Sequence, residues 1–226
     1  FQIWVTLPAR HKMVPPRMQM LGESPARSPG ETPASPSEAA SSAPRGVEVQ
    51  ELGPIPESSP APGVTVRVVS GSVDGVSSPV QTYSPVTILH VSLQRDTAWE
   101  WNHPIGWSCV VYTRKGEVRV GHVGKGEDLV PLHHTAVLEP GEGCEVAFSA
   151  GEDGADFILL AGEPLREPVA SGANIVMNTG IELREADMDM RRGFFGPVWD
   201  HTEDDAAWQA RVKQHWAAMA ASTKRT

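Results

Sequence analysis

The chain is 226 residues long, with 19 Lys and Arg against 28 Asp and Glu, a net charge of -9 with His neutral. That length admits one large domain or two small ones, and the acidic balance argues against gripping a phosphate backbone, so direct nucleic-acid binding is not expected. Two cysteines, Cys109 and Cys144, are too few for a disulfide scaffold and suit a reducing compartment, and no apolar run reaches the ~18 residues of a membrane span.

The first residues, Phe1, Gln2, Ile3, Trp4 and Val5, read as an apolar strand without an initiator Met, a basic leader or a cleavage-site pattern. Phe1, Ile3, Val5 and Leu7 alternate with Gln2, Trp4 and Thr6, a pattern that needs a sheet partner and a covered face. Residues 22–63 hold nine of the 20 prolines among Ser, Ala, Glu and Gly. Such a stretch cannot bury enough apolar surface to offset its ordering entropy, and it reads as a largely disordered linker with a short apolar anchor at Val47, Val49, Leu52 and Ile55. It shows no basic-flanked PxxP motif.

Beyond Gly63, short alternating or β-branched runs bounded by Gly and Pro read as strands over residues 64–70, 86–93, 108–113, 117–123, 133–138, 144–149 and 157–161. This spacing predicts a mainly β, antiparallel sandwich or barrel. Arg114, Lys115 and Gly116 are expected to form a hairpin loop with Gly at a positive φ, and residues 139–143 a second turn. Two helices follow. Thr179 and Glu182 have capping-box spacing for a helix ending near Arg191, and residues 204–222 place Trp208, Val212, Trp216 and Met219 on one face. Asp204 and Asp205 at its start and Lys224 and Arg225 past its end suit the helix dipole, and the apolar stripe is expected to dock onto the barrel.

Eight histidines invite a search for metal ligands. His133 and His134 are adjacent on a predicted strand and must point to opposite faces. Glu100 and His103 are followed by Pro104, which disfavours a helix presenting both on one side. His90 faces away from Leu89, while His11, His122, His201 and His215 are scattered. No metal, catalytic or cofactor-binding residues are therefore assigned, although convergence of His90, His103 and His134 stays open as an alternative. The glycines at 121, 124 and 126 precede Glu127 and Asp128, which would repel phosphate, so a polar hairpin loop is expected. Cys109 reads as a buried small hydrophobe, and Glu142 and Glu145 disfavour a thiolate at Cys144.

Residues 157–169, FILLAGEPLREPV, taken with Val176, Met177, Asn178 and Thr179, resemble the pirin family of iron-binding two-cupin nuclear proteins. Residues 132–138, LHHTAVL, agree, as do Glu182, Ala186, Asp189, Gly193, Phe195 and Gly196. Residues 1–8 with Lys12, Met13, Val14 and Pro16 resemble the strand that finishes the N-terminal cupin, with Thr6 where relatives usually carry Asn. Gly172, Ala173, Asn174 and Ile175 depart from a Gly-Pro pair common in the family.

The resemblance implies a cupin jelly-roll β-barrel with short C-terminal helices over residues 64–196. Residues 1–21 would then be the terminal strand and loop of an otherwise missing N-terminal cupin, and residues 197–226 a helical tail. In the family, three His and one Glu hold iron in the N-terminal cupin, and these ligands would lie upstream of the segment matching residues 1–8. No metal is thus expected on this chain, which would be catalytically silent. For the complete protein, the resemblance implies an iron-dependent quercetin 2,3-dioxygenase, a transcriptional cofactor contacting transcription-factor proteins in nucleus and cytoplasm, or both. A non-enzymatic interaction module is the alternative, with self-association possible through the orphan N-terminal strand.

Overall fold

The computed structural model describes residues 2–22, 48–138, 145–172, 174–198 and 202–223. Its strands are β1 (Arg17–Leu21), β2 (Glu48–Gly53), β3 (Glu57–Ser58), β4 (Val64–Ser70), β5 (Ser72–Val73), β6 (Val76–Ser77), β7 (Val86–Leu93), β8 (Ala98–Asn102), β9 (Ser108–His122), β10 (Asp128–Val130), β11 (Thr135–Leu138), β12 (Glu145–Gly162), β13 (Ala170–Ser171) and β14 (Val176–Met177). The helices are α1 (Gly180–Arg191) and α2 (Asp205–Thr223). The chain divides into two compact units: of the described residues, 19–22 and 51–166 fall in the first, and those before 19, 48–50 and those after 166 in the second.

The first unit is organised by two long bent strands. The C-terminal part of β12 pairs with β7 on one side and with Ser108 to Thr113 of β9 on the other. Its N-terminal part pairs with β8 and with the far end of β9. On the first half the ladder continues through β4 and β3 beyond β7 and through β11 beyond β9, and on the second half through β10 beyond β9. One antiparallel array thus turns over on itself along β9 and β12, with a jelly-roll arrangement of its strands.

The turn is made where the register slips between Ala150 and Ala155 and again between Asp156 and Phe157. Gly116 (φ 65°) and Gly154 (φ 71°) take left-handed backbone there, the conformation that β-bulges exploit. The expected hairpin at Arg114, Lys115 and Gly116 is corrected accordingly. Gly116 does supply a positive φ, but it bends one continuous strand instead of reversing it, because β12 offers ladder partners on both sides of the bulge.

Alternation along these strands sets the core. The buried positions are every second residue: Val64, Val66 and Val68 on β4, Leu89 and Val91 on β7, Val118 and Val120 on β9, and Phe157 and Leu159 on β12. Trp99, Phe148 and Phe157 form a continuous ring stack with centroids 5.3 and 5.1 Å apart. Phe148 and Phe157 lie on opposite sides of the bend, so their contact ties the two halves together. A fully buried Phe contributes about 1.5–3 kcal/mol from burial alone. Cys109 is buried in the same core, and its surroundings push the thiol up from 9.0 to about 12 by desolvation.

Strands β2 and β3 fall within the stretch read as linker, and β3 pairs with Arg67 and Val66 of β4. Gln2 to Leu7 forms no strand. An alternating segment becomes one only where a partner completes its ladder, and none does so among the described residues. Instead the Lys12 ammonium donates to the Leu7 carbonyl at 2.9 Å, and the Ala9 N–H donates to Glu167 Oε2 at 2.7 Å.

In the second unit, α1 begins with the expected capping box. Glu182 N–H donates to Thr179 Oγ1 at 3.2 Å, while the Glu182 carboxylate accepts from Thr179 N–H at 2.8 Å. The Asp204 carboxylate caps α2 by accepting from Ala207 N–H at 2.8 Å. Trp208, Val212, Trp216 and Met219 are all half-buried, and His215 Nε2 donates to the Gly193 carbonyl at 2.8 Å. Gly193, with φ 83°, leaves no room for a side chain: a Cβ there would lie 2.9 Å from His215 Cε1. The turn after α1 is therefore the seat of α2 within this unit. Residues 139–143, Cys144, Lys224 and Arg225 lie outside the described residues, as does most of the Pro-rich stretch.

Two predictions concern this core. Gly116→Ala places a Cβ against the Gly154 carbonyl oxygen in a left-handed backbone conformation, and is expected to lower stability by about 2 kcal/mol or more in urea titration. In a Cys144→Ser background, Cys109 should resist maleimide at neutral pH until the chain is denatured. Above pH 9.0 the unfolded thiol ionises while the folded one holds its proton up to about 12. Stability should therefore fall by about 1.4 kcal/mol per pH unit across that window relative to Cys109→Ala, with no thiol-linked difference in slope below it.

Candidate functional site

Three places in the first unit could carry chemistry: the interior between the folded halves, a charged cluster on an outer face, and a cavity beside the end of β12. The interior is lined from β8, β9 and β12 by Trp99, Trp101, Cys109, Val111, Val118, Val120, Val146, Phe148, Phe157 and Leu159. Thr113 is fully buried, and its hydroxyl donates to the Val130 carbonyl at 3.1 Å. Among the described residues, no group of three or more His, Cys, Asp or Glu side chains is placed to hold a metal ion.

His103 is the one fully buried histidine among the described residues, at 4 % exposure. Its Nδ1 lies 2.9 Å from the Pro104 carbonyl, which can only accept, so Nδ1 is the donor of this hydrogen bond. Its Nε2 is buried without a partner among the described residues, and the ring packs 5.4 Å from Trp101. His122 sits across β12 from Trp101, with Val146 between them in register, and its Nδ1 is likewise buried without a partner among the described residues. Two imidazoles separated by a strand fall short of the three protein ligands typical of a catalytic metal centre.

The alternative of His90, His103 and His134 converging on a metal is corrected by their placement. His90 is on the outward face of β7, and His103 is inside. His134 sits in an exposed turn, where its Nδ1 donates to the Leu132 carbonyl at 2.9 Å. The expectation that His133 and His134 lie on a strand is corrected too. Strand β11 starts only at Thr135, and His133 adopts φ 60° in a turn closed by His134 N–H donating to the Pro131 carbonyl. His201 lies outside the described residues.

The outer-face cluster is a product of register. Asp156 pairs with Ser92 and Ile158 with His90 across β12 and β7, which sets Asp156 diagonally beside His90. Asp156 Oδ2 accepts from His90 Nε2 at 2.8 Å and from Ser92 Oγ at 3.2 Å, and Arg114 Nη1 lies 3.5 Å from Oδ1. Arg114 also approaches His90 Nε2 at 3.0 Å. Because Arg only donates, it competes with Asp156 for that nitrogen. Ser92 meets the carboxylate and makes no hydrogen bond to the imidazole, so this is no nucleophile–base–acid relay of the kind hydrolases use. It is a charge network across the sheet. The sequence reading expects Arg114 only in a hairpin loop and assigns Asp156 no role, since the only local signal is an acidic residue at the head of the apolar run 157–161.

The glycine-rich segment forms the expected polar hairpin loop between β9 and β10, with Gly124 and Gly126 at φ 81° and 60°. A side chain at Gly121 would collide with the Gly126 carbonyl, and the Glu127 carboxylate is engaged by the Ser149 hydroxyl at 3.1 Å. A cavity of about 290 Å³ opens between the turn that joins β8 to β9 and the segment leaving β12. Glu163, Pro164, Leu165 and Arg166 form one of its walls.

Residues 88–196 match the Pirin C-terminal cupin domain. The chain is 32 % identical to human Pirin over 211 residues, covering 93 % of this chain and 60 % of that protein. It is 28 % identical to a Pirin-like protein of tomato, Solanum lycopersicum, over 85 % of this chain and 55 % of that one. Among solved structures it is similar to a quercetin 2,3-dioxygenase from Acinetobacter baumannii, with a TM-score of 0.58 and 29 % identity over 64 % of this chain and 49 % of that one. The chain spans between about half and three fifths of the length of the curated relatives it matches. The match lies on the folded-over array just described, the likeness to human Pirin runs through nearly the whole chain, and the solved neighbour has the same cupin arrangement: the chain belongs to the pirin family.

Proposed function

We propose that the cupin carried by this chain is catalytically silent and binds no iron, and that it serves a pirin-like protein as a scaffold and contact domain. The observation that carries this reading is the inner face of the array. There Trp99, Trp101, Val111, Val120, Val146 and Phe148 fill the space where a metal-using cupin needs imidazoles and carboxylates. His103 and His122 are the exceptions, and among the described residues they do not complete a donor set.

In this reading, the quercetin 2,3-dioxygenase chemistry of the complete protein belongs to an iron centre in another cupin, and the transcriptional role works through protein contact in nucleus and cytoplasm. The net charge of -9 supports contact with a transcription factor over contact with DNA. Exposed apolar side chains at Phe194, Phe195 and Val198, which are 51, 66 and 85 % exposed, support a contact role for the second unit. Among the described residues, no helix is long and apolar enough to cross a membrane.

The purified chain, incubated anaerobically with ferrous iron and desalted, should retain far less than one iron per chain and should not consume oxygen in the presence of quercetin. Stoichiometric iron together with opening of the quercetin ring would overturn the proposal.

A further inference from the structure

Helix α1 has one packed side and one bare side. Leu183 faces the β13–β14 pair, its Cδ1 lying 3.5 Å from where a Cβ on Gly172 would stand, and Leu183 and Ala186 are both half-buried. With 3.6 residues per turn, the opposite sector carries Ile181, Arg184, Glu185, Met188, Arg191 and Arg192, and every one of them is exposed. Ile181 and Met188 lie two turns apart along it, 62 and 45 % exposed. Phe195, 66 % exposed, stands just beyond the helix in a turn closed by Gly196 N–H donating to the Gly193 carbonyl at 3.0 Å.

A surface helix ordinarily turns its apolar stripe to the core and its polar side chains to water, so a second apolar row on the solvent side marks a contact surface. Its flanks are cationic. Arg191 is held by Asp187 at 2.9 Å, whereas the side chains of Arg184 and Arg192 form no ion pair or hydrogen bond among the described residues. Of the six exposed residues on this sector Glu185 alone is acidic, so three arginines invert locally the charge of a chain whose net is -9.

We propose that this face of α1 docks an acidic amphipathic peptide segment of another protein, which becomes helical on contact. Apolar side chains of the partner at helical spacing would cover Ile181, Met188 and Phe195, and its carboxylates would meet the guanidiniums of Arg184 and Arg192. The inference rests on the contact role proposed for the second unit and adds the chemistry of the partner. The chain's own Pro-rich segment does not qualify, since residues 23–47 carry Val47 as their one large apolar side chain. A second copy is disfavoured by the like net charge of -9 on each. A short apolar row flanked by exposed cations is a small interface, so micromolar or weaker affinity is expected.

The test is an NMR titration of the full chain with a synthetic peptide of about 20 residues made of Leu, Phe, Asp and Glu at amphipathic helical spacing. The amides of Ile181, Met188 and Phe195 are followed, and saturable shifts at these signals are expected. Raising the salt from about 0.05 to 0.5 M should weaken binding about tenfold. The same peptide with Lys in place of Asp and Glu should bind about tenfold more weakly or worse. The double variant Arg184→Glu, Arg192→Glu should lose the acidic peptide by a similar factor and gain the basic one, a gain that a misfolded chain would not show. Arg95→Gln, on the first unit, should leave binding unchanged. The proposal is overturned if the acidic peptide gives no saturable shifts at these signals up to about 1 mM. It is equally overturned if these signals shift with protein concentration alone, which would make a second copy the occupant. Equal binding of both peptides overturns the acidic partner and leaves the contact role standing, whereas silence toward both removes α1 from that role as well.

Discussion

The close passage of β9 and β12 at Gly116 and Gly154 is the constraint on which the first unit rests. Both glycines take positive φ, and a Cβ on Gly116 would occupy the position of the Gly154 carbonyl oxygen. With no side chain at that crossing, the two strands stay paired through a sharp bend. Everything that follows depends on the bend. It turns one half of each strand toward β7 and β4 and the other half toward β8 and β10, and it brings Phe148 over Phe157. A core forms between the halves because two strands are shared by both, in place of two separate sheets that would each have to find the other.

That core also explains the chemical character of the unit. Inward positions on β8, β9 and β12 are taken by aromatic and β-branched side chains, which pack densely and leave little room for the polar groups a metal would need. Polar residues that strand alternation directs outward become a network instead. His90, Ser92, Asp156 and Arg114 meet on the solvent side of the sheet, where their partial exposure keeps the desolvation penalty low. The buried Nε2 of His103, without a partner among the described residues, stands apart from this pattern.

Much of the fold was legible because strand period and turn chemistry are local. The runs over 64–70 and 86–93 became β4 and β7 with the same bounds. The capping box at Thr179 and Glu182 marked the start of α1, since both partners lie within one turn of helix. The apolar stripe of α2 came out as its half-buried face. Strand β8 is not among the strands expected from the sequence, although Trp99 and Trp101 alternate with Glu100 and Asn102, because five residues ending beside Pro104 carry too short a period. The pirin likeness was legible from residues 157–169, where several uncommon residues occur in fixed order.

What the sequence determined alone was the set of periods, caps and turn formers, and a family resemblance, all properties of residues close together in the chain. Only the tertiary structure decided that Gly116 bends a strand where a hairpin was expected, since an identical positive φ serves both and the choice depends on ladder partners some forty residues away. It alone decided that His90 meets Asp156 while His103 and His134 part company, because side-chain neighbours across a sheet are set by register between distant strands. And it alone placed Glu163 and Arg166 opposite Ile105 and Trp107. No local rule records that the end of β12 returns beside the turn before β9; the double bend puts it there.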